Sequence, residues 1–236
     1  MKHTPRSIFY ITLICGALGA LLQLWFYGAR EESGLLPAFH IAKVLLLILG
    51  ALHLVFVILQ TRKLSGAASY QAVFPASSVC AALTMLAALG LAFYGFREGF
   101  TDRSPANLIP TATCLVAAVC LFQTALCRLK GREPSFQISV ILSVCAVLLG
   151  VFLGREWGRE SQVIVYLFPL LAAICSMLGA YHQAAFSLQK NNLRSLQLYS
   201  QLAVFCCCLS LNSTAGVLYL SLGFWMASSC LSSQEG

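Results

Sequence analysis

The chain has 236 residues, of which 59% are hydrophobic and only 10% are charged, and its net charge is +7. Soluble domains carry roughly 25% charged residues, so this composition excludes an ordinary soluble domain and indicates a membrane protein. The positive charge does not indicate nucleic-acid binding, because the basic residues stand in small groups between apolar runs, as they do when they set membrane orientation.

Apolar segments long enough to cross a bilayer recur along the chain. A transmembrane helix needs about 20 mainly apolar residues, and the last apolar stretch is nearly twice as long. Asn212, Ser213 and Thr214 in its middle are turn and helix-capping residues, so we divide it into a tight hairpin. The sequence predicts an all-α integral membrane protein with eight transmembrane helices, at roughly 8–29, 36–60, 71–95, 107–127, 136–153, 163–189, 195–211 and 214–231.

The first apolar run also fits a cleaved signal peptide over residues 1–20, with Lys2 and Arg6 as its charged start. This run continues to Ala29, whereas the apolar part of a signal peptide spans about 7–15 residues. We therefore expect the run to remain as the first span.

The loops between the predicted spans differ in charge. The N-terminus and the loops after the second, fourth and sixth spans carry nine basic residues, and the other loops carry five. Under the positive-inside rule this predicts cytoplasmic termini, and we expect the plasma membrane as the location. The nine basic residues are Lys2, Arg6, Arg62, Lys63, Arg128, Lys130, Arg132, Lys190 and Arg194.

A short motif repeats at the ends of the odd-numbered spans. FYGARE at Phe26–Glu31 returns as FYGFRE at Phe93–Glu98 and, shortened, as FLGRE at Phe152–Glu156. Each copy precedes two apolar residues and a proline that open the next span. This self-similarity predicts one membrane domain, 1–236, built from four hairpins in parallel orientation, at about 1–65, 66–133, 134–192 and 193–236.

The repeated motif has a structural explanation at a membrane boundary. Its aromatic residues suit the interface, and its glycine is expected to close the helix in a left-handed conformation. Its charges predict a solvated outer rim, with recognition of an external ligand or partner as the alternative. The rim residues are Arg30, Glu31, Arg97, Glu98, Arg155 and Glu156.

Few polar side chains inside the spans are candidates for a ligand site. Lys43 lies near the outer start of the second span, where it either snorkels outward or contacts a ligand. His53 and His182 end the similar phrases LGALH and LGAYH, and Gln123 lies at a matching position in the fourth span. These residues form either a polar ligand site between the even-numbered spans or hydrogen bonds that join helices. Haem ligation by His53 and His182 is a weaker hypothesis, and we predict no cofactor.

Other chemistry has little support. All eleven cysteines lie in or beside apolar runs, which indicates packing and no metal site. No acidic residue lies within a predicted span, and no catalytic motif or family resemblance is recognisable, so we do not expect an enzyme.

Two functions remain open. The favoured one is a transport-like bundle, or a bundle that binds a small molecule or a lipid. The alternative is a non-catalytic scaffold or accessory subunit. Its partners would be the lipid bilayer and another membrane protein or a second copy of the chain.

Overall fold

The structure, a computed structural model, describes residues 5–29, 40–64, 70–101, 105–157, 163–188 and 192–232. Over these ranges the chain is mainly helical and contains no strand. Six helices are long and apolar enough to cross a membrane, as in an integral membrane protein. These six are α1 (Pro5–Gly28), α2 (Ile41–Thr61), α4 (Ser78–Thr101), α5 (Pro105–Leu129), α6 (Phe136–Trp157) and α7 (Val163–Ser187); the shorter helices are α3 (Tyr70–Val73), α8 (Leu193–Leu209) and α9 (Gly216–Ser232).

The long C-terminal apolar stretch divides where the turn residues predict it. A 3-10 turn at Ser210–Asn212 ends α8, and α9 begins at Gly216. Each of these helices has 17 residues. At 1.5 Å per residue each is about 26 Å long, somewhat less than the hydrocarbon thickness. Among the described residues six helices therefore have membrane length, and eight membrane spans remain a prediction.

The third predicted span, 71–95, begins too early. Pro75 separates the four-residue helix α3 from α4, since a residue before proline avoids the helical conformation. The Phe74 ring then packs edge-on against Phe186 at the end of α7, with 5.8 Å between the ring centroids. Tyr70 and Phe74 form a buried cluster with Phe186 and Leu196, so this segment lies across one end of the bundle.

Consecutive helices pack in pairs: α1 with α2, α4 with α5, α6 with α7, and the shorter α8 with α9. We call α8 and α9 the central pair, because α1, α2 and α7 also pack on α8 while α4 packs on α9. The central pair buries Ser200, Gln201 and Ser228 among its apolar side chains. Polar groups are costly when they face lipid, so these two helices occupy the interior.

The expected left-handed capping role of the motif glycine is wrong for all three copies, because Gly28, Gly95 and Gly154 lie within helices and have no positive φ. Gly95 shows a different role. This residue lies within α4, and a Cβ atom there would be 2.9 Å from the Cβ of Cys114 on α5. Its function is therefore close helix packing. At Gly28, the last residue of α1, a Cβ would meet nothing within 4 Å. Of the glycines that the structure describes, only Gly131 has a positive φ, 62°.

Candidate functional site

A cavity of about 230 Å³ lies between α2, α7 and α8, and we call it the lateral cleft. Leu47 and Leu54 of α2 and Leu171 of α7 are exposed at its mouth, so the cleft opens sideways from the bundle. Its walls carry only apolar side chains and two thiols. The lining residues are Leu47, Gly50, Ala51, Leu54, Leu167, Phe168, Leu171, Cys175, Leu202, Phe205 and Cys206.

Gly50 sets the width of the lateral cleft. It is close to the middle of α2, so the cleft lies at the depth of the hydrocarbon core. A Cβ atom at Gly50 would lie 3.9 Å from Cε1 of Phe168 and 4.0 Å from Cε1 of Phe205. Both are ordinary van der Waals distances, so alanine fits here and a larger side chain would occupy the cleft.

His53 is buried behind one wall of the lateral cleft. It follows Gly50 by one turn of α2 and is only 3% exposed. Its ring stacks on Phe205, with 4.4 Å between the ring centroids. Neither ring nitrogen has a hydrogen-bond partner in the part of the chain that the structure describes. Phe205 therefore separates an unsatisfied polar group from the cleft.

His182 also lies against α8, but at another level. Its half-buried ring stacks on Tyr199, with 5.4 Å between centroids and 7° between planes. Tyr199 and Phe205 are six residues apart, about 9 Å along the helix. Two histidines that bind one haem iron must face each other across it. Histidines stacked on rings at these two levels do not fit that arrangement.

The two remaining candidates lie elsewhere. Gln123 is exposed on α5, whose main packing partners are α4 and α6. Lys43 is the third residue of α2, because that helix begins at Ile41 and not at the predicted position 36. It is half-buried and lies about 10 Å from Gly50 along the helix. The structure thus brings His53 and His182 to α8, and does not bring Gln123 there.

Of the predicted outer rim, the structure describes the side chains of one copy. Arg97 Nε lies 3.8 Å from Glu98 Oε1, and both side chains are partly exposed, 48% and 32%. An exposed ion pair of this kind contributes about 0–1 kcal/mol. Arg30 and Glu31, and the side chains of Arg155 and Glu156, lie outside the described residues.

The sequence interpretation missed a buried arginine. The loop charges predict that Arg128 lies in a cytoplasmic loop after the fourth span, but it belongs to α5 and is only 2% exposed. Its Nη1 donates hydrogen bonds to Ser228 Oγ at 2.6 Å and to Thr84 Oγ1 at 3.2 Å. Its Cζ lies 5.0 Å from the centroid of the Phe74 ring. Nothing in the local sequence distinguishes it from a boundary residue.

Tyr70 completes the surroundings of this arginine. It is 7% exposed, and its ring packs on Phe74 with 4.7 Å between centroids. Burial raises the pKa of the Tyr70 hydroxyl to about 12, although the nearby Arg128 guanidinium lowers it. The hydroxyl therefore stays neutral at physiological pH and can donate a hydrogen bond.

A second buried polar residue that the sequence analysis does not identify, Gln183, joins α7 to the central pair. Gln183 Oε1 accepts hydrogen bonds from Trp225 Nε1 at 3.0 Å and from Ser229 Oγ at 3.3 Å. Gln183 directly follows His182, which the sequence predicts as a candidate ligand-site residue. The repeated serines and glutamines of α8 and α9 were the available signal for this polar interior.

The cysteines show no sign of a redox or metal centre. None of the eleven forms a disulfide bond, and eight are buried as small side chains. Among the described residues, no group of three His, Cys, Asp or Glu side chains is placed to hold a metal ion. Comparison with protein-family models, curated proteins and solved structures found no match for the chain.

Proposed function

We propose that the protein is a non-catalytic, transport-like bundle that binds a lipidic molecule through one of its acyl chains. The lateral cleft carries this proposal. It is apolar, lies near the middle of a membrane helix and opens where the surrounding solvent is lipid. We place the protein in the plasma membrane with both termini in the cytoplasm, as the charge of its loops favours.

The chemistry of the cleft favours an acyl chain over a polar ligand. Its walls offer no hydroxyl, amide or charged side chain that could hold a polar group. Apolar groups gain little from leaving lipid for protein, so selectivity must come from shape and close contact. The rings of Phe168 and Phe205, with the open position at Gly50, supply that shape.

The position of Lys43 favours one orientation of the bound lipid. An acyl chain that ends beside Gly50 and runs toward the start of α2 brings its headgroup to the level of Lys43. The distance is about 10 Å, and a lysine at a helix end can contact a carboxylate or phosphate. The proposal therefore favours an anionic lipid or a fatty acid.

The pairing of helices supports the proposed repeat. Each of the four predicted hairpins contains two consecutive helices that pack together, the fourth being the shorter pair α8 and α9. The first three would be related by an axis along the membrane normal, with the fourth at the centre. In this arrangement the lateral cleft lies between the second helices of the first and third hairpins, α2 and α7.

A scaffold function is the alternative, and one surface favours it. Phe93, Phe96 and Phe100 lie one above another on α4 and are 60%, 54% and 73% exposed. Such an aromatic ridge suits the docking of another transmembrane helix, from a partner protein or a second copy.

Photocrosslinking of the purified protein with a diazirine-bearing fatty acid tests the cleft. We expect adducts on the cleft-facing parts of α2 and α7. Gly50→Phe should lower their yield about tenfold, equivalent to about 1.4 kcal/mol of binding free energy. Leu52→Phe is the matched control, since Leu52 is 64% exposed and outside the cleft. Equal yields from both variants would refute the proposal, and a stoichiometric copurifying protein would then favour the scaffold.

A further inference from the structure

Arg128 has an unusual position for an arginine at the end of a membrane helix. It is the penultimate residue of α5, where long basic side chains normally extend toward water. Its side chain instead runs inward, and only 2% of the residue is exposed. A cation in the last turn of a helix suits the helix dipole, but it does not need to be buried for this, so the burial of Arg128 needs an explanation.

The Nη1 atom of the Arg128 guanidinium has two hydrogen-bond partners. Thr84 Oγ1 donates to the carbonyl of Cys80 at 2.8 Å, and Ser228 Oγ donates to the carbonyl of Trp225 at 2.7 Å. Both hydroxyl oxygens therefore present lone pairs to Nη1 of Arg128, which donates to them. These bonds fix the plane of the guanidinium between α4, α5 and α9.

The other edge has no partner. Nε and Nη2 of Arg128, and the hydroxyl of Tyr70, are buried and make no hydrogen bond of full geometry to any residue that the structure describes, although the Tyr70 hydroxyl is close enough to the guanidinium to interact with it. Nε and Nη2 lie side by side on the guanidinium, and their parallel N–H bonds form the fork that binds two oxygens of one carboxylate or phosphate. The unpaired atoms are thus the set that recognises an oxyanion.

No carboxylate that the structure describes forms an ion pair with this guanidinium. Thr84 and Ser228 are neutral, and Phe74 offers only the face of its ring. Glu133, in the loop after α5, is exposed and acts electrostatically on Tyr70, but it forms no ion pair with Arg128. Glu98 cannot serve as the counter-ion, because it pairs with Arg97 near the end of α4 opposite to Thr84. A buried charge without a counter-ion is strongly destabilising.

We propose that Arg128 and Tyr70 form a binding site for a phosphate-type oxyanion at this end of the bundle. Two oxygens of the anion accept hydrogen bonds from Nε and Nη2 of Arg128, and a third accepts one from the Tyr70 hydroxyl. The anion is either the headgroup of a membrane phospholipid or free phosphate. This site is separate from the lateral cleft, and its test does not depend on ligand binding there.

Thermal unfolding of the full-length protein in a neutral detergent tests this site. One arm compares inorganic phosphate with chloride at equal ionic strength, and the other compares phosphatidic acid with phosphatidylcholine. At saturation, we expect one of the two phosphate-bearing probes to raise the unfolding midpoint by about 5 °C. A response to inorganic phosphate identifies a free anion, and a response to phosphatidic acid alone identifies a lipid headgroup.

The variants assign the response to the site. Arg128→Gln should abolish the shift, and Tyr70→Phe should weaken the apparent affinity about tenfold, by loss of one charged hydrogen bond. Arg132→Gln removes the same charge from an exposed position in the next loop and should respond like the wild type. If Arg128→Gln does not fold, the thermal shifts of Arg128→Lys and Tyr70→Phe test the site instead. No shift with either probe, or an equal shift in the Arg128 and Tyr70 variants, overturns the proposal.

Discussion

The helix α2 and the central pair, α8 with α9, are in contact but differ in composition and burial. Of the six full-length spans, α2 is the most apolar, yet only 22% of its apolar segment is buried. The central pair contains serines and glutamines and buries most of them, including Ser200, Gln201 and Ser228. In this protein the most apolar helix lies outside and the more polar pair lies inside.

This difference follows from the bilayer as solvent. A leucine loses nothing when it faces acyl chains, whereas a serine or glutamine facing them leaves its polar atoms unsatisfied. Polarity, and not hydrophobicity, therefore marks the interior. The lateral cleft lies where the two regions meet, and α2 can provide its wall because its side chains are compatible with lipid.

The largest expected effect comes from Trp225 at the centre of the pair. Trp225→Ala removes a 2% exposed ring and its hydrogen bond to Gln183. We expect the free energy of unfolding to fall by about 3–5 kcal/mol. Leu52→Ala on α2 should change it by less than about 0.5 kcal/mol, because Leu52 faces lipid. Equilibrium unfolding in mixed detergent micelles measures both.

A milder variant separates packing from hydrogen bonding at this position. Trp225→Phe keeps most of the ring and leaves Gln183 without its indole donor, so the loss should be about 1–3 kcal/mol. A Leu52 variant as damaging as the Trp225 variants would mean that α2 is not peripheral.

A smaller effect distinguishes the two glycines of the repeated motif. Gly95→Ala places a methyl group 2.9 Å from Cys114 Cβ and should destabilise the protein by about 1–3 kcal/mol as α4 and α5 separate. Gly28→Ala enters open space and should be neutral or slightly stabilising, since alanine favours a helix. The same unfolding measurement compares them, and equal losses would contradict the packing role of Gly95.

The sequence predicted the apolar helices and the division of the C-terminal stretch at residues 212–214, because both depend on local composition. It could not identify Arg128 as buried, since counting charges at helix ends treats every basic residue as solvated. It also could not distinguish the roles of Gln123 and Gln183. Gln123 faces outward and Gln183 faces Trp225, and this difference depends on how the helices pack. The position of α8 and α9 at the centre is likewise a property of the assembled bundle.

The central claim is that α2 faces lipid while α8 and α9 lie inside the bundle. Photolabelling from the lipid phase tests it most directly. A small apolar diazirine dissolved in liposomes that contain the protein reacts with side chains that face acyl chains, and mass spectrometry locates the adducts. The account predicts strong labelling of Leu52 and Val55 on α2, and none at the buried Leu218, Trp225 and Met226 of α9. Labelling of these α9 residues at a level equal to α2 would contradict the account.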